Sequence, residues 1–111
     1  MDRLAEARQI IDECDREMAA LFERRLAAAK EIALYKKEHG LPVYVPEREN
    51  EVLEKNAARI CDPEVRGYYR EFLQHTMDVS KRFQTALISR LYEGTERTEA
   101  FSPDKDAEVQ N

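Results

Sequence analysis

The chain has 111 residues, enough for one domain, and a net charge of −5, which disfavours nucleic-acid and anionic-membrane ligands. Its 3 glycines are too few for a phosphate-binding loop, which disfavours Rossmann and P-loop folds. Charged residues make up 37% of the chain and aromatic residues only 8%, a composition typical of helical proteins. We therefore predict an all-α fold with three helices.

The sequence also bears on the cellular compartment. No apolar stretch is long enough to span a membrane, and the segment from Met1 to Glu6 lacks the apolar core of a signal peptide. Cys14 and Cys61 have no metal-ligand spacing, and we interpret both as reduced thiols. We expect a cytoplasmic protein with no membrane, nucleic-acid, metal or cofactor partner.

The first predicted element is a helix from about Asp2 to about Glu38, ended by Gly40 and Pro42. It would be about 55 Å long, whereas a compact chain of this size has a radius of gyration of about 13 Å. Its apolar seam must therefore find a partner outside the chain, and we predict a homodimer with interleaved long helices. The seam consists of Leu4, Ala7, Ile11, Cys14, Met18, Leu21, Ala28, Ile32 and Tyr35.

The second predicted helix follows an extended linker. Pro46 suits its first turn, and the helix ends near Ile60. Arg48 and Glu49 lie at its start, where a carboxylate complements the positive end of the helix dipole. Both side chains are also candidates for contact with a ligand.

The third predicted helix runs from about Pro63 to about Tyr92 and is ended by Gly94. The polar residues 94–111 favour a disordered tail after a helical domain over residues 1–93. Two polar residues interrupt one apolar stripe of this helix. Because buried polar groups need partners, they donate either to a neighbouring helix or to a ligand. The stripe is Leu73, Met77, Ser80, Gln84, Leu87 and Leu91.

Cations interrupt the seam of the first helix. Arg25 takes a seam position, which indicates an acidic partner, a side chain that extends to the end of the bundle, or an anionic ligand. Lys36 projects from the same face about 16 Å further along, although it also suits the negative end of the helix dipole. Arg8 lies about 25 Å before Arg25, so it is either solvated or shares an anion site from the partner chain.

These candidates are cationic and amide side chains with one carboxylate. The sequence offers no activated nucleophile, metal cluster or cofactor loop to accompany them. Such a set describes a pocket for a small polyanion, in which any chemistry depends on electrostatic preorganisation and conformational restraint.

In their order and spacing, five motifs within residues 4–91 resemble the all-helical class of chorismate mutases. No single motif is diagnostic, but the ordered set is specific. The motifs are Ala7-Arg8-x-x-Ile11-Asp12-x-x-Asp15, Glu23-Arg24-Arg25, Ile32-Ala33-x-Tyr35-Lys36, Gly40-Leu41-Pro42-Val43-x-x-Pro46-x-Arg48-Glu49 and Ser80-x-x-x-Gln84.

The resemblance implies an intertwined dimer with two equivalent sites that rearrange chorismate to prephenate on the route to phenylalanine and tyrosine. It implies that Arg25 and the partner's Arg8 bind the two carboxylates of the substrate. Arg48 and Ser80 would complete this carboxylate-binding network.

The resemblance also assigns the reacting atoms. Lys36 and Gln84 would donate hydrogen bonds to the ether oxygen, which gains negative charge as its C–O bond breaks. Glu49 would accept a hydrogen bond from the ring hydroxyl. Val45 departs from the family, whose members often have Asp at this position; hydroxyl recognition is weakened only if that Asp acts through its side chain.

Two alternatives remain open at this stage. An isochorismate pyruvate-lyase has the same fold, but Glu49 argues against it because that lyase lacks a carboxylate at this position. A non-catalytic helical dimer that regulates another shikimate-pathway enzyme is the other alternative, and the complete set of cations argues against a degenerate relative.

Overall fold

The computed structural model describes residues 2–96, which form three helices and no strand. Helix α1 spans Arg3–His39, α2 spans Pro46–Ala57 and α3 spans Pro63–Glu96. The prediction of an all-α chain with one very long helix is confirmed.

Both ends of α1 lie where the capping residues predict. The Asp2 side chain accepts a hydrogen bond from the backbone N–H of Ala5 at 2.7 Å, which satisfies one free donor of the first turn. Gly40 ends the helix in the left-handed conformation, with φ of 65°. The N–H of Leu41 then donates to the carbonyl of Lys36 at 2.8 Å, so the chain leaves α1 in a fixed direction.

The other two helices differ from their predicted ends. α2 stops at Ala57 rather than near Ile60, because the N–H groups of Arg59 and Ile60 bond the carbonyls three residues back and form a tight turn. α3 continues through Gly94 to Glu96, so the prediction that Gly94 ends it is wrong. A single glycine weakens a helix by only about 1 kcal/mol, which the rest of a long helix offsets. The predicted tail beyond Glu96 lies outside the described residues.

Gly67 and Gly40 have opposite backbone requirements, so alanine substitutions at the two positions should change the stability of the chain in opposite directions. Gly67 lies in the helical backbone of α3, and a Cβ there would meet no atom within 4 Å. We expect Gly67→Ala to raise the free energy of unfolding by about 0.5–1 kcal/mol, measured by urea denaturation at fixed chain concentration. The matched variant Gly40→Ala should lower it by about 1–2 kcal/mol, because φ at Gly40 is +65°. Equal effects at the two positions would contradict this account.

α3 provides most of the core and packs against both α1 and α2. Its predicted apolar stripe is confirmed, since Leu73, Met77 and Leu87 are buried together with the polar Ser80 and Gln84. α1 contributes only small side chains, Ala29 and Ala33, which allow the two long helices to approach closely.

The apolar seam of α1 lies outside the core of its own chain. Leu4, Ile11 and Leu21 are each 58–59% exposed, and Ile32 and Tyr35 are about half exposed. The radius of gyration is 18.4 Å, compared with about 13 Å for a compact chain of this length. A long uncovered apolar stripe of this kind marks an interaction surface. Within residues 2–96, no helix is long and apolar enough to cross a membrane.

Candidate active site

A cavity of about 470 Å³ lies between the three helices and the α1–α2 linker, residues 40–45. Helix α1 provides one wall, the start of α2 a second and the middle of α3 the third. Seven of the eight residues predicted from the sequence line this cavity. They are Arg25, Lys36, Val45, Arg48, Glu49, Ser80 and Gln84.

The cavity is cationic although the chain is acidic. Its lining includes four basic side chains and one carboxylate, whereas the whole chain carries a net charge of −5. Apolar side chains such as Ile32, Val52 and Met77 also line the cavity. Because charges act more strongly in a partly desolvated site, the lining favours a small ligand with two or more negative charges.

Lys36 connects α1 to the linker. Its Nζ donates a hydrogen bond to the backbone carbonyl of Val43 at 2.9 Å, and the side chain is partly buried. An ammonium group has three hydrogens, so this contact orients the group and leaves donors for an anion in the cavity. The position of Lys36 in the last turn of α1 also suits the helix dipole, so the two interpretations of this residue are compatible.

Ser80 and Gln84 form a buried polar pair on α3. The Gln84 Nε2 donates to the Ser80 Oγ at 3.1 Å, and the Gln84 Oε1 is a buried oxygen with no hydrogen-bond partner among the described residues. An unpaired buried carbonyl costs about 1–3 kcal/mol. Rotation of the amide by 180° would let Oε1 accept from the Ser80 hydroxyl and would free Nε2 to donate to a ligand.

Glu49 is the carboxylate of the cavity, and donors from α3 hold both of its oxygens. The Lys81 Nζ lies 2.8 Å from Oε2, and the Gln74 Nε2 donates to Oε1 at 3.3 Å. The side chain of Glu49 is only 16% exposed. Each carboxylate oxygen can accept about two hydrogen bonds, so one position on each remains open to a ligand hydroxyl.

Sequence analysis missed Lys81, which lines the cavity beside these residues. The hydrogen bond to Glu49, with a further contribution from Asp78, raises the pKa of Lys81 above its ordinary value. The pKa of Asp78 is lowered, first by its hydrogen bond from Gln74 and then by Lys81. The available signal was weak: Lys81 follows Ser80 directly, at the point where polar residues interrupt the stripe.

The two arginines that line the cavity are both exposed. Arg48 pairs with Glu51 at 2.7 Å, and both side chains are more than 60% exposed. Arg25 is exposed and makes no salt bridge within residues 2–96, so the acidic partner considered for it is absent from the described chain. Both guanidinium groups are therefore accessible to an anion that enters the cavity.

The cavity and the apolar seam of α1 share residues. Arg25, Ala28 and Ile32 belong to both surfaces, so a chain that covers the seam would also lie against the cavity. Arg8 is exposed near the start of α1 and does not line the cavity of its own chain. Its separation from Arg25, about 25 Å along the helix, agrees with this placement.

Val45 is the residue before the first turn of α2, and it forms no side-chain cap there. Asn at such a position accepts a hydrogen bond from a free N–H of the first turn. We expect Val45→Asn to be more stable to urea than Val45→Ala by about 1 kcal/mol. Since both variants lose the valine side chain, equal stabilities would show that the first turn gains nothing from a cap.

In the part of the chain that the structure describes, no three His, Cys, Asp or Glu side chains come together as a metal site. The site is thus a set of hydrogen-bond donors around one partly buried carboxylate acceptor. Such a site can bind a small polyanion and stabilise charge that develops on it.

The three helices and the cavity between them define an all-helical protein whose site suits a small polyanion. The chain belongs to the chorismate mutase type II family, whose match covers residues 7–85. It is 37% identical over 83 residues to the T-protein of Haemophilus influenzae. It is 34% identical over 98 residues to the bifunctional chorismate mutase/prephenate dehydratase of Aquifex aeolicus, and 36% identical over 55 residues to the chorismate mutase of Methanocaldococcus jannaschii.

These matches cover 75%, 79% and 50% of the chain, respectively. In the same order, they cover 20%, 26% and 56% of the three relatives. The chain therefore spans about a fifth to a quarter of the first two relatives and about half of the third. No solved structure gives a significant match.

Proposed function

We propose that this chain is a chorismate mutase, an isomerase that converts chorismate to prephenate by an intramolecular Claisen rearrangement. The observation that carries the proposal is the convergence of Arg25, Lys36, Glu49 and Gln84 from three different helices on one cavity. Membership of the family and the chorismate mutase named in two relatives add support.

In the proposed mechanism, the protein stabilises a charge shift within one molecule. The ether C–O bond of chorismate breaks as a new C–C bond forms, and the ether oxygen becomes more negative. Lys36 donates to this oxygen through a hydrogen that its contact with Val43 does not use. Gln84 donates through Nε2 once its amide is turned so that Oε1 accepts from Ser80. Each such donor contributes roughly 3–4 kcal/mol to transition-state stabilisation.

The two substrate carboxylates are assigned to the arginines. Arg25 binds one of them, and the partner's Arg8 binds the other in a homodimer whose α1 helices cover each other's seams. The exposed seam and the residues that it shares with the cavity support this arrangement. Arg48, with Ser80, completes the network, and its guanidinium is accessible beside Glu51.

Glu49 is assigned the ring hydroxyl of chorismate. Its carboxylate is held on the cavity wall with acceptor capacity to spare, which favours the mutase over the isochorismate pyruvate-lyase. Val45 supplies no carboxylate, so hydroxyl recognition depends on Glu49.

The free thiols of Cys14 and Cys61 fit the reducing cytoplasm that the sequence favours.

Product identification with both substrates tests this proposal. The purified chain is incubated with chorismate and, in parallel, with isochorismate, and the products are separated by chromatography. We expect prephenate from chorismate and no pyruvate from isochorismate. Release of pyruvate from isochorismate without prephenate formation would identify the lyase, and no reaction from a folded dimer would favour a regulatory partner.

A further inference from the structure

Lys81 contacts three parts of the site, although in the motifs found in the sequence it is only an unspecified position of Ser80-x-x-x-Gln84. Its Nζ lies 2.8 Å from Glu49 Oε2 on α2 and 3.2 Å from Asp78 Oδ1 on α3. The same ammonium lies 4.4 Å from the centre of the Tyr44 ring in the linker. One cation on α3 therefore contacts α2 and the linker at once.

These contacts engage the ammonium group on three sides. A lysine has three hydrogens to donate, and two carboxylates and one aromatic face account for three directions. The side chain is 27% exposed and its Glu49 partner 16%, so solvent screens the pair less than it screens a surface pair. Lys81 thus acts first on the carboxylate and the linker.

We propose that Lys81 is a positioning residue, which holds Glu49 and the Tyr44 segment of the linker in the geometry that the ligand hydroxyl requires. The inference rests on the proposed mutase function. With Gln74 on the other oxygen, Lys81 restrains both ends of the Glu49 carboxylate. It also offsets the negative charge of Glu49, which would otherwise repel a dianionic substrate.

The first test replaces the ammonium while it keeps the length of the side chain. We expect Lys81→Met to lower kcat/KM for chorismate by roughly 10- to 100-fold, the scale of a small displacement in an active site. Lys81→Arg retains a cation and should recover most of the activity. The matched control Lys55→Met removes an exposed lysine of α2 outside the cavity and should stay within about 2-fold of wild type. Wild-type kcat/KM in Lys81→Met would overturn the inference.

Coupling to Glu49 separates positioning from general stability. If Lys81 acts through Glu49, Lys81→Met should change kcat/KM by less than about 3-fold in a Glu49→Gln background. The reason is that the effects of substitutions at two contacting residues do not add. The same 10- to 100-fold loss in both backgrounds would contradict the inference. Urea denaturation of each variant identifies any loss that comes from unfolding.

A measurement without substrate distinguishes failure of this inference from failure of the proposed function. Nuclear magnetic resonance titration of the Lys81 side chain should give a pKa above the ordinary value in the wild-type chain. In Glu49→Gln, that pKa should fall towards the ordinary value because the main hydrogen-bond partner has lost its charge. An unchanged pKa would overturn the inference even if the wild-type chain is an active mutase. If the wild-type chain is inactive but the pKa of Lys81 falls in Glu49→Gln, the mutase proposal is overturned and the Lys81–Glu49 contact is supported.

Discussion

Lys36→Ala should lower kcat for chorismate by about 10²–10³-fold or more, because it removes the charged donor to the breaking ether bond. The loss should appear in kcat more than in KM, since the charge on that oxygen develops in the transition state. Steady-state rates from the decrease in chorismate absorbance measure both constants.

The neighbouring Lys37 provides the matched control. It is an exposed lysine in the same last turn of α1, and it does not line the cavity. Lys37→Ala should keep kcat within about 2-fold of wild type, because an exposed cation contributes little. Lys36 also holds the carbonyl of Val43, so thermal unfolding of both variants must be compared. Near-wild-type kcat in folded Lys36→Ala would exclude its assigned role.

Subunit mixing should restore activity that two inactive variants lack. Arg8→Ala and Arg25→Ala should each lower kcat/KM by at least about 10²-fold, the scale for loss of one buried charge partner. In a mixed dimer, the Arg8→Ala subunit keeps its own Arg25 and receives Arg8 of the partner subunit, so one of the two sites is intact. When equal amounts of the two subunits exchange at random, half of the dimers are mixed. A quarter of all sites are then intact, so the mixture should recover about a quarter of wild-type activity.

The control for mixing is a pair that contains no Arg8 at all. Arg8→Ala mixed with the double variant Arg8→Ala, Arg25→Ala has no intact site in any dimer and should recover nothing. Subunit exchange is verified with differently tagged chains. No recovery from the first mixture, despite verified exchange, would contradict the contribution of Arg8 in trans.

The features predicted best from the sequence are those that interrupt a regular pattern. Arg25 interrupts the seam of α1, and Ser80 and Gln84 interrupt the stripe of α3. Because a polar residue on an apolar face needs a partner, such positions identify a site before any packing is known. The structure brings all three to one cavity, where the helix ends also place Lys36.

Lys81 could not be predicted in the same way. A lysine beside an apolar stripe usually lies in solvent, and nothing in the periodicity of α3 distinguishes this one. Its role depends on how the start of α2 packs across α3 and brings Glu49 within 2.8 Å. The prediction of where α3 ends failed for a related reason, because a single glycine, Gly94, is too weak a signal to stop a long helix.

The second chain that would cover the seam of α1 is a prediction from the sequence. The prediction of a dimer came from the length of α1, and the exposure of Leu4, Ile11 and Leu21 agrees with it. The role of Arg8 follows from the same argument and stays a prediction, since Arg8 lies outside the cavity of its own chain.

Turnover of chorismate by the purified chain decides whether the cavity is catalytic. The rate is followed as loss of chorismate absorbance in a buffer that contains a metal chelator, and prephenate is confirmed by its conversion to phenylpyruvate in acid. We expect saturable turnover without added metal or cofactor and a large loss of kcat in Lys36→Ala. A folded dimer that binds chorismate without forming prephenate would contradict it.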